Sequence, residues 1–451
     1  MAVAAPILGL LGVGAALPAV ESLEPEAGYA LIRDLMGEPR KPRRAAAERL
    51  MGARDSRFVP PLVDAYFFTS NLARSSVLEV LAALAGEQPG KRYLDWVEHV
   101  GARQYELPAG YAEWKASLLA RIDTRYQHIL YPGVPIRIRL DEVVWGGVRL
   151  DGIPALEHPP QVSAAEARHL RDGDRVFGVS LGGEVRAYPV KALSWHEMLN
   201  DTIGGHPVTL SYCTLCGSGI LYSTGTDDGG AYTFGTSGLL YRSNKLMYDR
   251  QSYSLWANLT GEAVIGRKAL RSDRLEILPM VLTTWRAWRQ RHPETTVMAI
   301  DPSEGRRHGF VYQEGAADAA RAGVAFPVWQ KSDALDRNAE VYTLLLDGKP
   351  KAYPTDRLAE AGVVNDTLGE RALVLVADPE SGAIRAYERG AHRFSAGPRP
   401  NQLLDEQGRR YRVAEEALIA DGLDPLPRLG GHTAFWFGWF GFYPHTELWT
   451  P

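Results

Sequence analysis

The sequence predicts an α+β protein: an N-terminal α-helical, HEAT-like cap followed by a mostly β domain made of two degenerate tandem repeats packed together. Three observations carry that expectation. Apolar residues recur at helical spacing up to about Tyr126. Strand-like runs divided by Gly-rich turns follow Pro132. The strand-rich part also matches itself at a fixed offset, the mark of an internal duplication.

Met1 to Val20 is apolar and uncharged, with the small residues Gly14-Ala15-Ala16 ahead of an acidic stretch from Glu21. It resembles the core of a secretion signal, so residues 1–23 are read as a signal segment and the protein as periplasmic or extracellular. Pro6, Pro18 and several glycines make the stretch a poor membrane-spanning helix, and no later run is apolar enough to span a bilayer.

Residues 24–130 are read as the helical domain. Ala46, Leu50 and Met51, then Val59, Leu62, Val63 and Tyr66, then Val77, Val80, Leu81 and Leu84 recur at helical spacing. Asp55 to Leu62 and Asn71 to Gly86 are similar to a HEAT-type helix pair. One or two such pairs do not make a solenoid; they suit a cap over the next domain or a docking surface for a protein partner.

Residues 131–320 and 321–451 are read as the first and the second, degenerate β repeat. Gly183, Ala187-Tyr188-Pro189, Leu193, Asn200-Asp201-Thr202, Gly204 and Gly217 match Gly348, Ala352-Tyr353-Pro354, Leu358, Asn365-Asp366-Thr367, Gly369 and Gly382 at one offset of 165. Further on, Trp285, Trp288, Pro293 and Thr295 match Trp436, Trp439, Pro444 and Thr446 at an offset of 151. The second copy is therefore about fourteen residues shorter between the two blocks. Packing two such sheets together buries both apolar faces.

Hydrophobic residues make up 45% of the chain and charged residues 23%, the balance of an ordered globular protein. With 54 acidic against 50 basic residues, nothing favours binding to nucleic acid or to an anionic membrane surface.

Chemistry concentrates in one place. Cys213 and Cys216, the only two cysteines of the chain, lie three positions apart and close behind His196. Two soft sulfurs and an imidazole suit Cu(I), which prefers thiolate and accepts low coordination, or a zinc ion with an open position. The same pair could cycle between dithiol and disulfide, or form a structural disulfide. Comparison of the copies bears on this choice: His196 faces Ala361, Cys213 faces Asp378 and Cys216 faces Ser381. Generic core positions would keep apolar replacements, so the site belongs to the first copy alone and the second copy serves as its structural partner. Asp249 and Arg250 are read as a pair that orients a ligand, and Gly235 and Gly238 as points of close backbone approach. Met247 reads as core, and His206, His292 and His308 read as surface residues.

Trp195-His196-Glu197, Tyr212-Cys213-Thr214-Leu215-Cys216-Gly217, Phe234-Gly235, Ser237-Gly238-Leu239-Leu240-Tyr241, Met247-Tyr248-Asp249-Arg250 and Ser254-Leu255-Trp256 together resemble the signature of domain-of-unknown-function family 3179. The likeness covers roughly residues 150 to 451, including the ending Ala434-Phe435-Trp436-Phe437-Gly438-Trp439. The resemblance identifies the domain and implies no activity. The stretch from Arg306 to Tyr312 departs from the family's pattern.

Two function classes follow. One is a metal-dependent or redox enzyme of the cell envelope, with His196, Cys213 and Cys216 as ligands to a metal ion, copper before zinc. In it Glu197, Tyr241, Asp249 and Arg250 are the catalytic candidates that position an unidentified small molecule. The other is a non-catalytic binding or assembly module stiffened by a disulfide, or a dithiol oxidoreductase in which His196 lowers the pKa of the attacking cysteine.

Overall fold

The computed structural model describes residues 22–300, 326 and 328–451. The stretch read as a signal segment, up to residue 21, as well as His308 and the run from Arg306 to Tyr312, lie outside the described residues. Contacts divide the chain into two compact units: one running to Lys91 together with Tyr105–Gly110, the other comprising Arg92–Gln104 and Tyr111–Pro451.

The first unit is helical, with helices Pro25–Met36, Arg40–Ala53, Val59–Phe67 and Asn71–Ala85. Proline in the first turn of Pro25–Met36 gives up no backbone hydrogen bond there. The Asp55 carboxylate starts the next turn by accepting from the backbone N–H of Arg57 and of Leu23, each at 3.1 Å. Gly86, at φ 74°, ends the last helix. Ile32, Leu35, Leu50, Phe58, Leu62, Val77, Val80 and Leu81 form its core. Gly28 is needed there because a Cβ would stand 2.0 Å from the Phe58 ring.

The second unit holds helices Tyr93–Arg103, Tyr111–Leu119 and Tyr126–Ile129 together with the strands. Tyr126 Oη donates to the Ser237 carbonyl at 2.8 Å, and the Arg125 guanidinium donates to the Leu150 carbonyl at 2.6 Å. Among the described residues no helix is long and apolar enough to cross a membrane.

The β part repeats itself in topology. In the first copy, strand Arg175–Leu181 pairs antiparallel with Glu184–Pro189 and with Val281–Thr284, and Glu184–Pro189 pairs parallel with Thr296–Met298. In the second copy, Glu340–Leu346 pairs antiparallel with Lys349–Pro354 and with His432–Phe435, and Lys349–Pro354 pairs parallel with Glu447–Leu448. Helix Val190–His196 corresponds to Thr355–Ala361, and Trp285–Arg291 to Trp436–Phe442.

The shared sequence blocks are shared hydrogen bonds. Tyr188 Oη donates to Asp201 at 2.8 Å, and Tyr353 Oη donates to Asp366 at 2.9 Å. The same carboxylates take a cation at 2.9 Å, Arg186 in one copy and Lys351 in the other. Asn200 brackets the backbone of Phe234 with its amide, as Asn365 brackets Phe394. Trp288 donates to Thr295, and Trp439 to Thr446, both at 2.9 Å. Each bond ties together different elements or turns of its own copy, and the bonds to the charged Asp201 and Asp366 contribute about 1.5–3 kcal/mol each. These residues therefore hold the repeat together, whichever copy carries chemistry.

The copies share a core. Met198, Ile220, Tyr222, Phe234, Met247 and Trp256 of the first pack with Val341, Ala352, Ala434, Trp436 and Trp439 of the second. A buried ion cluster adds to the seam: Glu415 is met by Arg385 and Arg428, each at 2.7 Å, and by Arg291 at 2.8 Å.

Candidate dithiol site

Strand His206–Cys213 pairs antiparallel with Ser218–Ser223, and the last pair of the hairpin is Cys213 opposite Ser218. Cys213 thus ends the first strand, and Cys216 lies within the turn that joins the two. Gly217 closes that turn at φ 62°, where a Cβ would stand 3.0 Å from the Phe435 ring. Both thiols are free and buried, with exposures of 1% for Cys213 and 0% for Cys216.

Hydrogen bonding decides which sulfur carries the charge. Cys216 Sγ accepts from Asn244 Nδ2 at 2.7 Å and lies 3.3 Å from Ser218 Oγ. Ser218 Oγ itself accepts from Asn258 Nδ2 at 3.2 Å and Asn244 Nδ2 at 3.4 Å. A hydroxyl has two acceptor sites and one proton, so the Ser218 proton is directed to the sulfur. A Cys213–Cys216 hydrogen bond supplies a third donor. Burial opposes a charge on Cys216, but donation from Cys213, Ser218 and Asn244 outweighs it and lowers the thiol below its ordinary range. Burial, and then donation to Cys216, push Cys213 well above that range. Of the two sulfurs, Cys216 is therefore the one on which a charge is favoured and Cys213 the one that keeps its proton more firmly.

The amide oxygens of Asn244 and Asn258 are buried and accept no hydrogen bond among the described residues. Leaving a buried acceptor unsatisfied costs about 1–3 kcal/mol. Two such orphans, with both amide groups aimed at the Cys216–Ser218 corner, mark a place where the fold sacrifices stability to present donors to a sulfur.

A cation stands beside the pair. Lys245 is buried and its Nζ donates to the carbonyls of Glu197 and, at 3.0 Å, of Tyr212. The Glu197 carboxylate lies 3.8 Å from that ammonium. Burial lowers the pKa of Lys245, while Glu197 and both cysteines act in the opposite sense. Burial raises Glu197, against Lys245 and Thr214. Glu197 caps helix Val190–His196 in a left-handed conformation, φ 57°, where the second copy has Gly362 at φ 67°.

The second copy closes the site. The backbone N–H of Phe435 donates to the Cys216 carbonyl at 2.7 Å, and a Cβ on Gly438 would stand 2.6 Å from Cys216 Cβ. Val328, Phe435 and Phe437 form one apolar cluster with the two cysteines. At the equivalent turn of the second copy, Ser381 Oγ donates to Asp378 at 2.5 Å, and Gly382 has φ 71°. The turn geometry is common to both copies; the sulfur is not.

Several expected site residues stand elsewhere. His196 is buried with Nδ1 2.9 Å from the Pro154 carbonyl, so the imidazole expected as third ligand is turned to the backbone. It forms no close group with the two thiols: among the described residues, the one set of three metal-compatible side chains with ligand atoms within 4.8 Å is His392, Asp405 and Glu406. Asp405 there is already held by Arg409 at 2.6 Å and by the backbone N–H of Gln407. The Tyr241 ring lies against Phe442 and under Arg242. Asp249 accepts from Ser252 and from Trp256 Nε1, which makes it the anchor of its turn, and Arg250 pairs with Glu157 and Asp151. Among the described residues none of these three has a hydrogen bond or ion pair to the dithiol or to Lys245. Gly235 and Gly238 approach Asp151 and the Val148 carbonyl, which leaves no room for a ligand. Glu197 alone of the four catalytic candidates joins the cysteines.

Asn244, Lys245, Ser218 and Asn258 were not expected. Ser243-Asn244-Lys245 follows strand Phe234–Tyr241 at a hairpin turn, where polar residues ordinarily face water. The signal that could have found them is a lysine beginning a strand of otherwise buried character.

A family profile described as "Protein of unknown function (DUF3179)" matches residues 150–446. The chain belongs to the DUF3179 family. The DUF3179 match spans both copies and every residue of the dithiol site, and it begins after the helical unit. Neither a curated protein nor a solved structure matches the chain.

Proposed function

We propose that the dithiol is the binding site of a soft monovalent cation, with copper(I) as the ion it fits. The observation that carries the reading is the pair itself: two buried sulfurs side by side, one of them, Cys216, receiving hydrogen bonds from Asn244 and Ser218 that favour its thiolate. Thiolates select soft ions, and copper(I) accepts two ligands, whereas a structural zinc site takes four. Charge favours the same choice. Two thiolates around a monovalent ion keep one net negative charge beside the Lys245 ammonium; a divalent ion would cancel it and leave the buried ammonium opposite Glu197 alone. Export, to which the apolar residues 1–20 point, belongs to this reading, because it removes competition from the cytosolic thiol pool.

Anaerobic titration with copper(I) against a chelating indicator tests it, with zinc(II) run alongside. One copper(I) per chain is expected, lost in both Cys213→Ser and Cys216→Ser. Equal copper in a variant and in the parent protein, or preferential retention of zinc, overturns the reading. A protein that binds neither ion but converts both thiols into one disulfide is instead a dithiol oxidoreductase, which the lowered pKa of Cys216 also suits.

A further inference from the structure

We infer that the cavity on the far side of Phe437 and Val328 receives a small zwitterionic thiol, of the amino-acid class, that delivers the soft ion to the cysteines. The inference rests on the copper(I) reading of the dithiol and adds the substrate class and the route.

The cavity measures about 430 Å³, within the ~300–1,000 Å³ usual for small-molecule sites. Val328, Trp436 and Phe437 line it. Val328 and Phe437 also belong to the apolar cluster around Cys213 and Cys216. A layer one side chain thick therefore separates the cavity from sulfurs that have no exposure of their own.

The charges around the cavity sort into used and unused. Arg92 pairs with Asp95 at 2.5 Å, and Lys331 pairs with Glu98. Arg337 and Asp333, both exposed, have no ion-pair partner among the described residues. The Arg337 guanidinium lies 5.9 Å over the Phe437 ring, and its carbonyl accepts from the Phe437 N–H at 2.9 Å. One free cation and one free anion suit a ligand that carries a carboxylate and an ammonium. The apolar floor between them suits a short side chain ending in sulfur.

The transfer balances without an oxidant. The copper–sulfur bond to the carrier breaks, bonds to Cys213 Sγ and Cys216 Sγ form, and the Cys213 proton leaves on the carrier sulfur. Copper remains monovalent, and the buried charge is the same before and after.

Two measurements on the full chain test this separately from metal binding. S-methylcysteine, a redox-inert zwitterionic thioether, is expected to show saturation-transfer NMR contacts with the parent protein and with the doubly substituted Cys213→Ser/Cys216→Ser protein. Those contacts should be lost in Ser332→Trp, which fills the cavity, and in Arg337→Glu. In stopped flow, copper(I) supplied as its cysteine complex should load Ser332→Trp roughly tenfold or more slowly than the parent, with the final copper content unchanged. Absence of S-methylcysteine binding, or equal loading rates in Ser332→Trp and the parent, overturns the inference. Absence of copper binding in the parent protein overturns the reading of the dithiol instead.

Discussion

Glu197 occupies a left-handed backbone position, φ 57°, that its counterpart Gly362 occupies at φ 67°. The same turn is built twice, with glycine where no chemistry is needed and with a carboxylate where Lys245 and the cysteines lie. A non-glycine residue in that region costs on the order of 1 kcal/mol or more and persists where the surroundings or function hold it.

Glu197→Gly is therefore expected to unfold at a denaturant concentration no lower than the parent protein. The thiolate absorbance of the variant should rise at lower pH, because a negative charge near the pair has been removed. A fall in stability of more than about 1 kcal/mol would show that the carboxylate, not the dihedral angle, dominates.

Asn244→Leu removes the shortest donor to Cys216. A hydrogen bond to a charged group contributes about 1.5–3 kcal/mol, so loss of this one should raise the apparent pKa of Cys216. The pH dependence of thiolate absorbance measures this. An unchanged profile would leave Ser218 and Cys213 as sufficient donors.

His432 is buried, and burial lowers its pKa to about 4 from an ordinary 6.5. Between those values the unfolded chain binds a proton that the folded chain refuses, so stability falls as pH drops from about 7 to about 4. The loss should approach ~3 kcal/mol. His432→Gln should flatten that part of the stability profile measured by denaturant unfolding; an equally steep profile would move the acid sensitivity to another group.

Glu415 is the single carboxylate among Arg291, Arg385 and Arg428. Glu415→Gln leaves three guanidinium groups without a counterion and should cost about 3–5 kcal/mol in thermal or chemical unfolding. A loss under about 1 kcal/mol would show that solvent, rather than Glu415, balances those charges.

Much of this was legible in the residues. The duplicated blocks could be read because each is a pair of partners, such as Tyr188 with Asp201 and Tyr353 with Asp366, at a spacing the hydrogen bond itself enforces. The cysteines stood out because the second copy has Asp378 and Ser381 in their place. Position along the chain misled at His196, since a residue at a helix end is aimed by that end, here toward the Pro154 carbonyl. Asn244 and Lys245 escaped notice for the opposite reason: they reach the hairpin of the cysteines from a neighbouring sheet, and tertiary pairing of that kind leaves no local pattern.

The wall over Cys216 comes from Phe435 to Gly438, far downstream of the cysteines in the sequence. During synthesis the sulfurs emerge long before their cover does. A nascent chain would carry them bare to solvent, open to oxidants and stray metals, and arrival of the later segment would seal in whatever state they had reached. The state of the thiols can thus be set by the timing of synthesis as well as by any later opening.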